Sequence, residues 1–186
     1  MKKKVILLGD SIRLLGYGET VAKALSNEFE VWQPNENCRF AKHTLRGIYE
    51  WRANIAGADI IHWNNGLWDI HRVPDGEVFT PIDQYVEEMV RLAKALQTRA
   101  KFVIFATTTP VQDGNPGMNN ADIAAYNAAL VPRLREMGVI INDLHTTVKK
   151  DIDRYICEDL VHLSDAGIEV CARQVAEIIR QQAEKL

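Results

Sequence analysis

Five short apolar runs alternate with helical periodicities along the chain. They occupy residues 4–8, 30–33, 58–63, 101–106 and 139–142. The first run is unbroken and aliphatic, and it stops at a glycine. A continuous run of this kind is typical of a central parallel strand that is covered on both faces. We therefore predict five strands, with the first one in the middle of the sheet.

Between these runs, apolar residues recur at steps of three and four, which is the spacing of an amphipathic helix. The predicted helices span residues 19–27, 83–97, 121–137 and 164–185. Ser164 or Asp165 is expected to cap the last of them. Strands separated by helices imply βαβ crossovers, so the pattern predicts a single α/β domain over residues 1–186 with a mainly parallel sheet.

Composition narrows the range of partners. The 186 residues are 47% hydrophobic and 25% charged, with a formal net charge of −3, which gives no reason to expect nucleic acid as a partner. No segment approaches the roughly 20 apolar residues of a membrane span. Three cysteines without CxxC spacing, and histidines without the spacing of metal ligands, predict neither a metal nor a cofactor. The expected location is the cytoplasm, and the oligomeric state stays open.

Polar residues gather where the predicted strands end, which is where parallel sheets bind their ligands. The motif Gly9-Asp10-Ser11 follows the first strand, and Asn64-Asn65-Gly66 follows the third. An acid and an imidazole, Asp159 and His162, come shortly before the last helix. We expect these groups to meet at one edge of the sheet.

The residue types suit nucleophilic catalysis. A serine hydroxyl becomes a good nucleophile when an imidazole takes its proton, and a carboxylate fixes the tautomer of that imidazole. The oxyanion that forms then needs preorganised N–H donors. Ser11, His162 and Asp159 supply the first three groups, and backbone N–H groups near Ser11 together with an asparagine amide are candidates for the donors.

These landmarks resemble those of the SGNH (GDSL) hydrolase family of esterases and acylhydrolases. The resemblance spans residues 9–167 and rests on Gly9-Asp10-Ser11, on the asparagine after the third strand and on the Asp159-x-x-His162 spacing. It implies a flavodoxin-like, three-layer α/β/α sandwich with a five-stranded parallel sheet. It also implies that Ser11 is the nucleophile, His162 the general base and then acid, and Asp159 its orienting partner.

Two blocks depart from the family pattern. The third block usually has the form Gly-x-Asn-Asp, whereas this chain has Asn64-Asn65-Gly66. We take Asn64, directly after the strand, as the expected oxyanion donor and Asn65 as the alternative. The second block normally offers a glycine N–H, but residues 37–42 contain no glycine, so the donor from this block stays open.

Further residues near the strand ends are candidates for substrate contact. They are Asp10, Arg13, Arg39, Trp68 and Thr108. The aromatic residues of this region are more often core than pocket. The irregular stretch at residues 107–120 has the length of a functional or mobile loop. With no inserted lid or long apolar channel evident, the predicted substrate is a small-molecule ester with a small acyl group such as acetyl.

Other functions are compatible with a parallel α/β sheet. A flavodoxin-like protein would bind FMN through the loop after the first strand, which would be expected to be richer in serine and threonine. A response-regulator-like module would need paired acids after the first strand and an acid after the third, where this chain has Asp10 alone and Asn64. A catalytically silent SGNH relative is a third alternative, against which the intact Ser11, Asp159 and His162 argue.

Overall fold

Five parallel strands form one sheet in the computed structural model, which describes residues 2–186. The strands are β1 (Lys3–Gly9), β2 (Phe29–Trp32), β3 (Ile60–Asn64), β4 (Phe102–Ala106) and β5 (Ile140–Asn142). Their order in the sheet is β2-β1-β3-β4-β5, which is the order of flavodoxin-like folds. The predicted five-stranded parallel sheet is confirmed, with bounds shifted by one or two residues.

Helices cover both faces of this sheet. They are α1 (Gly18–Leu25), α2 (Ala41–Glu50), α3 (Arg52–Ile55), α4 (Leu67–Ile70), α5 (Ile82–Gln97), α6 (Asn120–Glu136), α7 (Leu144–Lys149), α8 (Ile152–Tyr155) and α9 (Asp165–Ala183). Helices α1 and α9 pack together on one face, and α5 lies between α2 and α6 on the other. The predicted three-layer sandwich is therefore confirmed. None of the helices within residues 2–186 has both the length and the apolar character needed to cross a bilayer.

The two central strands are buried on both sides. Every residue from Val5 to Leu8 in β1 and from Ile60 to Trp63 in β3 has zero solvent exposure. The unbroken apolar run of β1 is stable only where both faces of the strand are covered, and both β1 and β3 have a neighbouring strand on either side. The chain order reverses between β1 and β3, and their carboxyl ends form the crevice in which such sheets bind ligands.

Two local features set the directions in which the chain leaves these strands. After β1 it enters a wide, π-helical segment, Ile12–Tyr17, which is kinked at Gly16 and was not predicted from the sequence. After β3 it turns at Gly66, whose φ of 153° suits glycine and whose missing side chain leaves room for the Thr108 hydroxyl. At the start of α9, the Ser164 side chain accepts a hydrogen bond from Gly167 N–H, as predicted for this cap.

Candidate active site

Ser11 and His162 are hydrogen-bonded across the carboxyl edge of the sheet. Ser11 lies in the turn after β1 and is 8% exposed, while His162 lies in the loop before α9. The imidazole Nε2 is 2.8 Å from Ser11 Oγ, and Nδ1 is 2.6 Å from Asp159 Oδ2. The structure thus brings the three residues together in one hydrogen-bonded chain. In this arrangement, an imidazole can accept the hydroxyl proton while the carboxylate binds its other N–H group.

Asp159 and His162 belong to a small hairpin, residues 156–163, which we call the acid–base hairpin. An antiparallel bridge between Ile156 and Leu163 closes it, and Cys157 N–H donates to the His162 carbonyl at 2.8 Å. Leu160 takes a left-handed conformation, with φ of 68°, at its tip. The spacing of the acid and the imidazole is therefore fixed by local backbone structure.

The Asp159 carboxylate is held by several donors. Its Oδ1 accepts the backbone N–H groups of Val161 at 2.9 Å and His162 at 2.8 Å, and it lies 3.2 Å from the Cys157 thiol. Burial acts to raise the pKa of Asp159, but these hydrogen bonds, together with the one from the His162 ring, hold that pKa well below its ordinary value. Asp159 is therefore ionised at neutral pH and stabilises positive charge on the imidazole.

The two asparagines are both buried and are held in different directions. Asn64 is the last residue of β3 rather than the residue after it, and its Nδ2 donates to Asp10 Oδ1 at 2.7 Å. Asn65 Nδ2 donates to the Arg39 carbonyl at 2.7 Å, and its Oδ1 accepts the Thr44 hydroxyl at 3.0 Å. Each amide nitrogen keeps a second hydrogen after these bonds.

Asp10 lies in the turn between β1 and Ser11, and Thr108 lies just after β4. Asp10 Oδ1 accepts the Ile12 N–H at 2.9 Å as well as the Asn64 amide. Burial raises the pKa of Asp10 to about 6, although both hydrogen bonds act to lower it. The Thr108 hydroxyl donates to the Asn65 carbonyl at 3.2 Å. Contrary to the expectation from the sequence, neither residue lines the cavity in front of Ser11. Asp10 holds the turn that contains Ser11, and Thr108 holds the turn after β3.

Arg13 also differs from the prediction of a substrate-binding or surface residue. It has zero exposure, and its guanidinium donates to the carbonyls of Pro34 at 2.9 Å, Glu36 at 2.6 Å and Gly9 at 3.1 Å. Burying a guanidinium is tolerated where its N–H groups find acceptors. Arg13 therefore fastens the segment just before the second block to the end of β1, and it does not line the cavity.

The second block supplies its N–H groups to the protein itself. Cys38 N–H donates to the Gly9 carbonyl at 3.0 Å, and Arg39 N–H donates to Asn37 Oδ1 at 2.7 Å. Arg39 takes a left-handed φ of 51°, a conformation that glycine usually supplies. In contrast, the Ser11 N–H donates to no turn, loop or cap carbonyl among residues 2–186. It is therefore a candidate donor at this edge of the sheet.

A cavity of about 680 Å³ opens in front of Ser11 and His162. Most of its lining side chains are apolar: Leu15, Phe40, Leu67, Trp68, Val73, Phe79, Pro116, Met118 and Val161. Trp68 lines the cavity, and the exposed Arg39, which does not line it, has its Cζ 5.9 Å from the Trp68 ring centre. The cavity is larger and more apolar than the sequence analysis expected for a small acyl group.

Loop 107–120 forms one wall of this cavity and is tied to the acid–base hairpin. Gln112 N–H and the Asn115 side chain both donate to the Leu160 carbonyl, at 3.1 and 3.4 Å. His71 lines the same wall, and its ring occupies the space that a Cβ on Gly117 would need. No group of three or more His, Cys, Asp and Glu side chains within residues 2–186 is arranged to hold a metal ion.

One buried acid near the site was not singled out from the sequence. Asp69, in α4, has zero exposure and accepts the Ala41 N–H at 3.1 Å and the Thr80 hydroxyl at 2.9 Å. Burial raises its pKa to about 7. Its place three residues after Gly66, in the turn that follows β3, is the signal that would have identified it. It joins the start of α2 to the segment before α5.

The fold has clear counterparts among solved structures. A lipase/acylhydrolase from Enterococcus faecalis superposes with a TM-score of 0.82 and 17% identity, covering 97% of this chain and 96% of that one. An acetyl xylan esterase gives 0.79 and 18%, covering 95% and 99%. A member of the lipolytic G-D-S-L family from Veillonella parvula gives 0.75 and 19%, covering 95% and 97%. Comparisons with protein-family models and with curated proteins gave no match. The chain therefore has the fold of the SGNH (GDSL) hydrolases.

Proposed function

We propose that the protein is a carboxylic ester hydrolase that works through an acyl-enzyme on Ser11. The observation that carries this proposal is the hydrogen-bonded chain from Ser11 Oγ through His162 to Asp159, with distances of 2.8 and 2.6 Å. Three polar groups in this order, facing a cavity, have the geometry of a nucleophile, its general base and the group that orients the base.

In the proposed reaction, Ser11 Oγ bonds to the ester carbonyl carbon while its proton passes to His162 Nε2. His162 then gives that proton to the alcohol oxygen as the carbon–oxygen bond breaks. A water molecule attacks the acyl-enzyme, loses its proton to His162 and forms the free acid, and the proton returns to Ser11. Asp159 stays ionised and stabilises the imidazolium in both halves of the reaction.

We propose the Ser11 N–H and the Asn64 amide as donors to the oxyanion, with Asn65 as the alternative to Asn64. Asn64 lines a small void together with Asp10 and Ile12, the two residues that flank Ser11. The Asn65 side chain points toward Thr44 in α2 instead. Donors fixed before the reaction stabilise the developing charge without the cost of reorganisation.

The acyl group is proposed to be small, of the acetyl type, with the apolar cavity holding the larger part of the ester. Two observations support this division. The lining combines Ser11 and His162 with apolar side chains such as Trp68 and Phe79. Two of the proteins with the same fold are described as a lipase/acylhydrolase and an acetyl xylan esterase.

The test is hydrolysis of p-nitrophenyl acetate, butyrate and octanoate by the wild type, by Ser11→Ala and by Ser26→Ala, an exposed serine far from the site. We expect activity in the wild type and in Ser26→Ala and none above background in Ser11→Ala. A fluorophosphonate probe followed by peptide mass spectrometry should label Ser11. Equal activity in all three proteins, or labelling at another residue, would refute the assignment.

A further inference from the structure

The Tyr17 hydroxyl makes a buried contact with the asparagine that ends β3. Tyr17 has zero exposure, and its hydroxyl donates to Asn64 Oδ1 at 2.8 Å. Tyr17 is the last residue of the wide helical segment that follows the nucleophile. We propose that Tyr17 is a positioning residue that fixes the orientation of the Asn64 amide for oxyanion binding. This inference rests on the proposed ester hydrolysis and on Asn64 as the side-chain donor.

The orientation matters because the two ends of an asparagine amide have the same shape and opposite hydrogen-bonding character. In the structure, Asn64 Oδ1 accepts a hydrogen bond from the Tyr17 hydroxyl, and Asn64 Nδ2 donates to Asp10 Oδ1 at 2.7 Å. A rotation by 180° would set Oδ1 against the Asp10 carboxylate and take the N–H groups away from the nucleophile turn. Tyr17 and Asp10 therefore select the same orientation from opposite ends of the amide.

Of the two groups that contact the Asn64 amide, Tyr17 changes its protonation less with pH than Asp10 does. Burial raises the pKa of the Tyr17 hydroxyl well above its ordinary value, so the hydroxyl keeps its proton at neutral pH. Asp10 has a pKa of about 6 and, once protonated, can itself donate to an oxygen. Below that pH, a rotated amide could still donate to the Tyr17 oxygen, but the buried Tyr17 O–H would lose Asn64 Oδ1, the acceptor that the structure gives it.

The ring of Tyr17 is held independently of its hydroxyl. It meets the ring of the buried His62 edge-on, with centroids 5.7 Å apart. A change to phenylalanine therefore keeps the packing and removes the single donor to Asn64. Because the ring remains, Tyr17→Phe is expected to fold, and circular dichroism with a urea unfolding curve verifies this for each variant.

The experiment is a double-mutant cycle on p-nitrophenyl acetate hydrolysis with Tyr17→Phe, Asn64→Ala and the double variant. We expect Tyr17→Phe to lower kcat by about tenfold or more while KM changes less than about twofold, because the interaction acts in the transition state. The double variant should equal Asn64→Ala alone, since Tyr17 acts through Asn64. The control is Tyr126→Phe, which removes a buried hydroxyl that donates to the Thr80 carbonyl at 2.8 Å and should keep wild-type kcat.

Three results would overturn the inference. The first is a wild-type kcat in Tyr17→Phe. The second is a drop in kcat on adding Tyr17→Phe to Asn64→Ala that equals the drop it causes in the wild type. The third is full activity in Asn64→Ala. If Ser11→Ala is inactive in the same assay, each of these results leaves ester hydrolysis by Ser11 standing. Activity that survives in Ser11→Ala instead refutes the proposed function and the inference with it.

Discussion

Gly9 and Asn64 are paired neighbours at the carboxyl ends of β1 and β3, and a Cβ on Gly9 would overlap the Asn64 Oδ1 atom. The same Cβ would lie 2.8 Å from the Cβ of Arg13. Gly9 therefore leaves the space through which the Asn64 side chain runs beneath the nucleophile turn. Glycine is required at position 9 because any larger residue would clash with the Asn64 side chain.

Gly9→Ala is accordingly expected to destabilise the fold by about 1–3 kcal/mol, as overpacked sites do, and to lower kcat strongly because Asn64 must move. Urea unfolding and steady-state kinetics measure the two effects. Gly57→Ala is the control, since Gly57 has a φ of 74° with no neighbouring atom within 4 Å. That variant should lose about 1–2 kcal/mol from backbone strain and keep its kcat. A wild-type kcat in Gly9→Ala would contradict the proposed role of Asn64.

The two asparagines should separate in their effect on catalysis. Asn64→Ala is expected to lower kcat by about 10²–10³-fold with little change in KM, which is the effect of losing one oxyanion donor. Asn65→Ala removes a clamp on the Arg39 carbonyl and should act mainly on stability, measured by urea unfolding. The reverse pattern, with the larger kcat loss in Asn65→Ala, would assign the oxyanion donor to Asn65.

Trp68 should control affinity for the apolar part of an ester. Its side chain lines the cavity and is still 42% exposed, so a bound apolar group would cover it. Trp68→Ala is expected to raise KM for an ester with a bulky apolar group by about tenfold, equivalent to ~1.4 kcal/mol, and to change kcat less. Tyr49→Ala is the control, because Tyr49 is an exposed aromatic residue outside the cavity. Equal KM values for the two variants would rule out substrate contact at Trp68.

Asp69 should make stability depend on pH. Burial raises its pKa from 3.8 to about 7, so between these values the folded protein holds a proton that the unfolded chain releases. The contribution of this group is therefore fully present below pH 3.8 and is lost as the pH rises to about 7. Relative to the wild type, Asp69→Asn should gain free energy of unfolding between pH 4.5 and pH 8. Asp113→Asn, at an exposed position, is the control for loss of a charge, and a pH-independent difference for Asp69→Asn would refute the prediction.

The strands were predictable because burial on both faces leaves an unbroken apolar run, as in β1. Helix α2 was not predictable in this way. Its buried face carries few large apolar side chains, because it consists of Ala41, Thr44, Gly47 and Ile48. Thr44 and Gly47 are small because Asn65 and the Trp51 ring occupy the space around them. Asn65 lies 21 residues from Thr44 along the chain, so the sequence of α2 carries no periodic sign of this contact.

The same distinction applies to the site. Asp159 and His162 were recognisable because their geometry is made within one short hairpin, and Ser11 because it directly follows a strand. The burial of Arg13 was not predictable from the sequence. It depends on the carbonyl groups of Pro34 and Glu36, which only the folded chain brings to Arg13. A sequence shows that a charged residue lies near a nucleophile, but not whether acceptors surround it.

The acid–base hairpin closes on itself, whereas Ser11 lies 151 positions before His162. Asp159 and His162 therefore keep their spacing whenever the hairpin forms, but Ser11 joins them only when the two ends of the chain have docked on the same sheet. The recovery of hydrolytic activity therefore reports on the last stage of folding. During refolding from urea, activity should return after the far-ultraviolet circular dichroism signal of the helices. The interval between these two events measures the time that the two ends of the chain need to dock.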